Sequence, residues 1–258
     1  MNELTITYAT ITAFFAVLGA SIASFLNVAA LRRAEGASFI TGRSHCPSCN
    51  RTLRWFELIP VFSWIILLGR CRTCKAKISP RYALVELIGA LAAALCFVTY
   101  RFAWMTVLSL GVSVILLVIA LIDLTSQEIP NGLIIALIPF AVAAIWAQPE
   151  ISLLSRGIGL IAISVPMFIL AILIDGAFGF GDIKLMAVCG VMLGWQNTVL
   201  AFFFAVITAG CVSLALIARG KARKGAKIAF GPHLCFGVMA AMLYGKDIIL
   251  WYLKLFGL

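Results

Sequence analysis

From Trp104 to Ile122 the chain runs without a single Asp, Glu, Lys or Arg. A stretch of roughly 18 or more such residues is long enough to cross the hydrocarbon of a bilayer as a helix. In lipid the backbone must satisfy its own N–H and C=O groups, so helix is the form such a run takes. Comparable runs recur near residues 8–29, 82–100, 103–122, 132–147, 154–175, 184–195, 198–218 and 233–253. With 63% of the 258 residues hydrophobic and 12% charged, little is left for a water-facing surface. The expectation is an all-α polytopic membrane protein of about eight transmembrane helices. The opening MNELTITYATITAFF carries Glu3 and no Lys or Arg, so the first run reads as a retained helix rather than a signal peptide.

Charge distribution sets the expected topology. Of 20 Lys and Arg, ten lie between Arg32 and Arg81, five between Arg219 and Lys227, and one is Lys184, sixteen on one expected face. Only Arg101, Arg156, Lys246 and Lys254 remain for the opposite face. The positive-inside rule then puts the large loop, Lys184 and the 219–227 loop in the cytoplasm, and the N-terminus outside. Treating residues 184–218 as one crossing would turn ARGKARKGAK outward. Two helices, the first short and broken at Trp195-Gln196-Asn197, keep the parity.

The same parity brings Asp123, at the end of the third span, and Asp182, at the start of the sixth, to the cytoplasmic side at similar depth. Ionised carboxylates at membrane depth are expensive and face a bundle interior or a wet cavity. The plain alternatives are an interfacial carboxylate and, for Asp182, a helix N-cap. In GFGDIK, however, Gly179 and Gly181 remove side chains on either side of Phe180, which lets backbone of unusual dihedrals approach another segment. In DLTSQEIPN, Pro130 suits the opening of the next helix. Two carboxylates that share a water titrate as a unit, one holding a proton while the other acts as base. Such a pair activates water and polarises a peptide carbonyl with neither metal nor covalent nucleophile. Lys184 reads either as a partner of Asp182 or substrate carbonyl, or as a positive-inside anchor.

The loop between the first two spans holds HCPSCN and RCRTCK, so Cys46-x2-Cys49 and Cys71-x2-Cys74 stand 21 residues apart. Four thiolates in two such hairpins fit a closed tetrahedral Zn2+ site, and a cytoplasmic loop opposes a disulfide reading. A loop this short and polar builds no core of its own, so the metal is structural. Ten basic residues against Glu35 and Glu57 suit the anionic lipids of the inner leaflet. Positive-inside bias accounts for that charge without nucleic acid.

Five passages in order, SFLNV at Ser24, the four-cysteine loop with WFELIPVFSW and ISPRYALVEL, DLTSQEIPN at Asp123, GFGDIK at Gly179 and FGPHL at Phe230, give the chain its resemblance. It resembles the bacterial type IV prepilin peptidases, membrane aspartic proteases of the GxGD class, over nearly its whole length. The resemblance implies cleavage of the basic leader of type IV prepilins or type II secretion pseudopilins, after a glycine at the cytoplasmic face of the inner membrane. It implies Asp123 and Asp182 as the catalytic pair and demotes Asp175, a third carboxylate near the same rim. It also implies N-methylation of the new N-terminus from S-adenosylmethionine. No G-x-G-x-x-G unit marks a site for that cofactor, and Glu57 is a candidate for holding the substrate amine or the cofactor. Gly179 and Gly181 are auxiliary candidates, for pairing with an extended substrate segment. Ala23 before SFLNV and LRRAEG after it depart from the family's usual residues. The implied organisation is a first helix at 1–31, a zinc-binding and methyltransferase part at 32–81 and a transmembrane peptidase domain at 82–258. No motif speaks to oligomeric state.

The rival reading is a proton-coupled transporter with a cytoplasmic zinc module. Transporters place their acids near the midplane and show repeated halves, whereas both aspartates here stand at helix ends. Small residues along LGASIAS and ALAAAL read as close helix packing, and His233 as a helix-start residue rather than a catalyst.

Overall fold

The computed structural model describes residues 3–34, 44–174, 176–220 and 228–257. Among these, regular structure is helical, with two isolated β-bridges. The α-helices are α1 (Glu3–Ala34), α2 (Phe62–Ile66), α3 (Arg81–Tyr100), α4 (Trp104–Ser126), α5 (Asn131–Ala147), α6 (Leu153–Ala162), α7 (Ser164–Leu173), α8 (Phe180–Ala218) and α9 (Gly231–Leu255). Six helical stretches are long and apolar enough to cross a membrane, with α6 and α7 together forming one of them, and α5 is a shorter apolar helix. The longest, α8, is two limbs meeting at Gly194, whose φ of 74° no helix interior accommodates. Taking its limbs separately yields the eight apolar segments that charge parity requires. The break falls one residue before Trp195-Gln196-Asn197, because glycine alone adopts that dihedral freely. Asp175 and most of the ARGKARKGAK loop, residues 221–227, lie outside the described residues.

The chain divides into two compact units, Met1–Thr106 and Val107–Leu258. In the first, α1 packs along α3 through small residues. A Cβ on Gly19 would collide with the Gly89 carbonyl and the Ala93 side chain, and one on Gly89 with Ala23, so the backbones touch only because these side chains are absent or minimal. Phe15 and Phe97 stack at 4.8 Å toward the far end of the seam.

Between α1 and α3 the chain forms two knuckles of one design, offset by 25 residues. Cys46 and Cys71 donate backbone N–H groups to Arg51 and Ala76, and their carbonyls accept from Asn50 and Lys75. Asn50 and Lys75 share a left-handed conformation, φ 55° and 57°. The bridges His45–Thr52 and Arg70–Lys77 complete each hairpin.

In the second unit, α6 and α8 cross at Gly159 and Gly190, where a Cβ on either would overlap the other's carbonyl. Gly237 on α9 meets the backbone of Ala201 and Ala205 on α8 in the same way. Arg156 on α6 is almost completely buried. Its guanidinium donates to the carbonyls of Ala144 (2.9 Å) and Gln148 (2.8 Å) at the end of α5, of Val191 and Met192 (both 3.0 Å) at the end of the first α8 limb, and of Ile151 (3.3 Å). Helix ends leave carbonyls without intrahelical partners and carry partial negative charge, so one cation closes both ends. At the break itself, the Trp195 N–H donates to Ser155 Oγ at 3.4 Å.

Candidate active site and metal centre

Asp123 occupies the last turn of α4 and is buried. Its Oδ2 accepts the backbone N–H of Gly231, the first residue of α9, at 2.9 Å. A Cβ at 231 would stand 2.7 Å from that oxygen and 2.9 Å from Cγ, so only glycine lets the helix start reach the carboxylate.

Asp182 is the third residue of α8 and is also buried. Its Oδ2 accepts the Gly179 N–H at 3.3 Å, reaching back across the first turn as an N-terminal cap does. The cap reading therefore accounts for one oxygen. The other, Oδ1, is buried and has no hydrogen-bond partner among the described residues. The two carboxylates lie within electrostatic reach of each other.

Packing around them explains the glycines. A Cβ at Gly181 would fall 2.7 Å from Ile129 Cβ, so the start of α8 lies directly on the segment that follows Asp123 and Ser126. Gly179 has ordinary extended dihedrals, φ −75° and ψ 144°, and a Cβ there would stand 3.3 Å from Asp182 Oδ2. Both glycines thus serve close approach; unusual dihedrals are found instead at Gly176, φ 77°. Phe178 and Phe230, which immediately precede Gly179 and Gly231, have ring centroids 5.6 Å apart, and Phe202 joins them at 6.3 and 6.4 Å. This aromatic cluster ties the two helix starts that contact the carboxylates. Lys184 Nζ donates to Asn131 Oδ1 at 3.0 Å, linking the first turns of α8 and α5. His233 Nδ1 lies 3.2 Å from Thr208 Oγ1, a bond between α9 and α8 that fits a helix-start residue.

In the other unit, the four sulfurs of Cys46, Cys49, Cys71 and Cys74 all lie within 4.8 Å of one another, with Cys46 and Cys74 at 3.8 Å. Ligands of a tetrahedral zinc at a Zn–S distance of about 2.3 Å are separated by about 3.8 Å, so the donor set fits one Zn2+. Backbone N–H groups of Cys74 and Thr73 draw the Cys71 thiol down to about 6, and those of Cys49 and Ser48 lower Cys46. The first cysteine of each knuckle is thus drawn toward thiolate, while Cys74, against a lowering bond from the Ala76 backbone, is pushed up to about 11 by burial and the neighbouring sulfurs.

Glu57 is buried next to the first knuckle. The Arg51 fork donates to both its oxygens, at 2.7 and 3.1 Å, and the Arg54 N–H adds a third bond at 2.8 Å. Arg51 holds its carboxyl below the usual range. A ligand amine would meet a carboxylate already engaged by three donors.

Sequence reasoning missed three of these partners. Gly231 lay inside FGPHL, where a glycine before a proline marks a helix start, but nothing local links it to Asp123. Ile129 and Asn131 are ordinary residues whose roles depend on α8 returning to them.

Two family models match the chain. One, described as Bacterial Peptidase A24 N-terminal domain, covers residues 17–100, and one described as Type IV leader peptidase family covers residues 110–214. Among curated relatives, the prepilin leader peptidase/N-methyltransferase of Bacillus subtilis (strain 168) is 32% identical over 239 residues, 93% of this chain and 96% of its own. The protein of that description from Stutzerimonas stutzeri is 30% identical over 266 residues, 92% of each chain. That from Aeromonas hydrophila is 33% identical over 219 residues, 83% of this chain and 76% of its own. No solved structure matches.

Proposed function

The chain belongs to the type IV leader peptidase family, and from that premise we propose that it removes the leader from type IV prepilins or type II secretion pseudopilins with Asp123 and Asp182 as the catalytic pair. It is a multi-pass inner-membrane peptidase that also N-methylates its product. The transporter reading draws no support from these relatives.

One observation carries the assignment of the pair. Both carboxylates are buried and each is fixed through Oδ2 by a single backbone N–H at a helix start, while Asp182 Oδ1 accepts no hydrogen bond among the described residues. In the reaction, the ionised member takes a proton from water as its oxygen attacks the scissile carbonyl, and the protonated member donates to the carbonyl oxygen. The tetrahedral diol then breaks its C–N bond: the leaving amine takes a proton from one member of the pair while a diol hydroxyl, re-forming the carbonyl, returns a proton to the other, so the pair ends with one proton as it began. The backbone donors hold the carboxylates in place through both steps without reorganising. Gly179 and Gly181 are auxiliary through close packing, and Lys184 through its tie to Asn131.

Charge asymmetry supports placing the N-terminus outside and the aspartates at the cytoplasmic face, where a basic prepilin leader would lie. The basic segment 32–81 would meet anionic lipids there. Cys46, Cys49, Cys71 and Cys74 would hold Zn2+, which stabilises the fold of the two knuckles and keeps no open coordination position. Glu57 contributes by holding Arg51 against the first knuckle. We assign methylation to the 32–81 part and cleavage to 82–258; S-adenosylmethionine, when bound, supplies the methyl group.

The test is mass spectrometry of a prepilin incubated with purified protein and S-adenosylmethionine. Wild type should release the leader and add one methyl. Asp123→Asn and Asp182→Asn should leave the substrate intact, whereas Asp175→Asn should cleave it. Cleavage by either of the first two variants would remove the pair.

A further inference from the structure

The knuckle module exposes more apolar surface than its metal explains. Trp55, Phe62, Ile65, Ile66 and Leu68 are all exposed, Ile66 and Leu68 to 77% and 81%. They cluster around α2, between the two knuckles, and large exposed apolar patches on otherwise polar modules mark interaction sites.

The segment has a fixed shape. Val61 and Leu68 bound it, both with positive φ, 63° and 51°, a conformation that is an outlier for a β-branched residue such as Val61. Between them, Trp64 points inward: its indole N–H donates to the Ile78 carbonyl at 3.3 Å, and its ring lies where a Cβ on Gly69 would stand, at 2.8 Å. With Trp64 committed to the module, Phe62, Ile65, Ile66 and Leu68 are left on the outer side.

Its depth is also fixed. The Val61 N–H donates to Glu86 Oε2 at 2.7 Å. Glu86 lies five residues into α3, about 7.5 Å along the axis at 1.5 Å per residue, and its side chain leans back toward the helix start. The 20 residues of α3 are just long enough for a crossing, so Arg81 stands at the membrane boundary and the bracket 61–68 is tied within about one turn beneath it. Interfacial segments bury their apolar face about 5–10 Å into the headgroup and acyl boundary, the depth this tie imposes.

Charge names the occupant. Arg54, Arg70, Arg72, Lys75 and Lys77 are exposed around the same module, and its one acid in residues 44–81, Glu57, is already paired with Arg51. An apolar ridge at membrane depth with a basic surround fits an anionic phospholipid leaflet.

We propose that residues 61–68 form a re-entrant wedge, inserting Phe62, Ile65, Ile66 and Leu68 into the headgroup and acyl boundary of an anionic bilayer and so setting the height of the four-cysteine module above it. The wedge rests on the membrane reading of α3 but not on peptidase activity.

A nitroxide on a genetically encoded ketone amino acid, which leaves the cysteines untouched, placed in turn at positions 66, 68 and 75 of the full-length zinc-loaded protein, tests this. The protein sits one copy per nanodisc of mixed phosphatidylglycerol and phosphatidylcholine, and power saturation compares collision with oxygen and with a neutral nickel chelate. Labels at 66 and 68 should collide preferentially with oxygen, with nickel accessibility at least several-fold below that at 75. Nickel accessibility at 66 and 68 equal to that at 75 would put the ridge in water and overturn the wedge. Protection from both reagents would mean that protein covers the ridge, and would overturn it equally. Prepilin cleavage by the same samples reports the family activity separately, so loss of one leaves the other readable.

Discussion

The Gly231 N–H reaches across 108 residues of sequence to donate to Asp123 Oδ2 at 2.9 Å, and a Cβ on residue 231 would stand 2.7 Å from that oxygen. The bond and the missing side chain are one requirement: the start of α9 can donate to the carboxylate only at a distance that excludes alanine. Gly231→Ala should therefore push Asp123 out of register. A misplacement of about 1 Å costs roughly 100-fold in rate, which is the fall in prepilin cleavage expected here. Single-turnover cleavage, read beside thermal unfolding in detergent, checks it; wild-type rates would show that this contact does not position Asp123.

The second glycine contact gives a paired test. Gly181→Ala would place its methyl 2.7 Å from Ile129 Cβ, whereas Gly179→Ala meets Asp182 Oδ2 only at 3.3 Å. The 181 variant should lose more activity than the 179 variant, because a Cβ pressed against a Cβ has no flexible end to yield. Ile129→Ala leaves the Cβ and frees only Cγ1, so Ile129→Gly is the change that should restore cleavage in the Gly181→Ala background. A double-mutant cycle with non-additive rates is the expected result, and simple additivity would separate the two residues.

How much of this was legible in the chain depends on the range of each contact. Asp123 and Asp182 stand out because charges are rare in apolar runs, and charge parity puts them at one depth without any knowledge of packing. Cys46, Cys49, Cys71 and Cys74 are readable from spacing, since each knuckle closes within a few residues. The break in α8 follows from parity, though its position at Gly194 needs the φ value. Arg156 reads only as one of four charges on the outer face; its five carbonyl partners come from three separate segments. Gly231 likewise is silent until α9 returns to α4.

Removing the metal should act on one unit and not the other. The knuckles between Ser44 and Ser79 have few buried apolar side chains and gather four sulfurs within 4.8 Å, so the Zn2+ proposed for them would supply folding energy to this segment. Chelation should abolish hydrogen-exchange protection at the Cys46 and Cys71 amides while the amides of α8 and α9 stay protected. Methylation should fall with it. Retained protection in the knuckles after complete metal removal would show that the segment folds without the ion.

Arg156 gives the last and largest expected effect on stability. It lies at the far end of the α8 first limb from Asp182, about 15 Å away along the helix axis, and joins that limb to the end of α5 through carbonyls. Arg156→Met removes every donor and leaves those carbonyls unpaired where water is scarce. Leaving a buried acceptor without a donor costs about 1–3 kcal/mol per group, so a loss of at least that size is expected. Arg156→Lys keeps the charge but offers three donors without the planar fork, so it cannot span both helix ends and should fall between Met and wild type. Thermal unfolding should rank the three in that order, and hydrogen exchange should rise first around residues 191–198, next to the break at Gly194. Because the limb carries Asp182 at its other end, cleavage per folded molecule should fall as well. A Met variant as stable and active as wild type would mean that the two helix ends hold together without the cation.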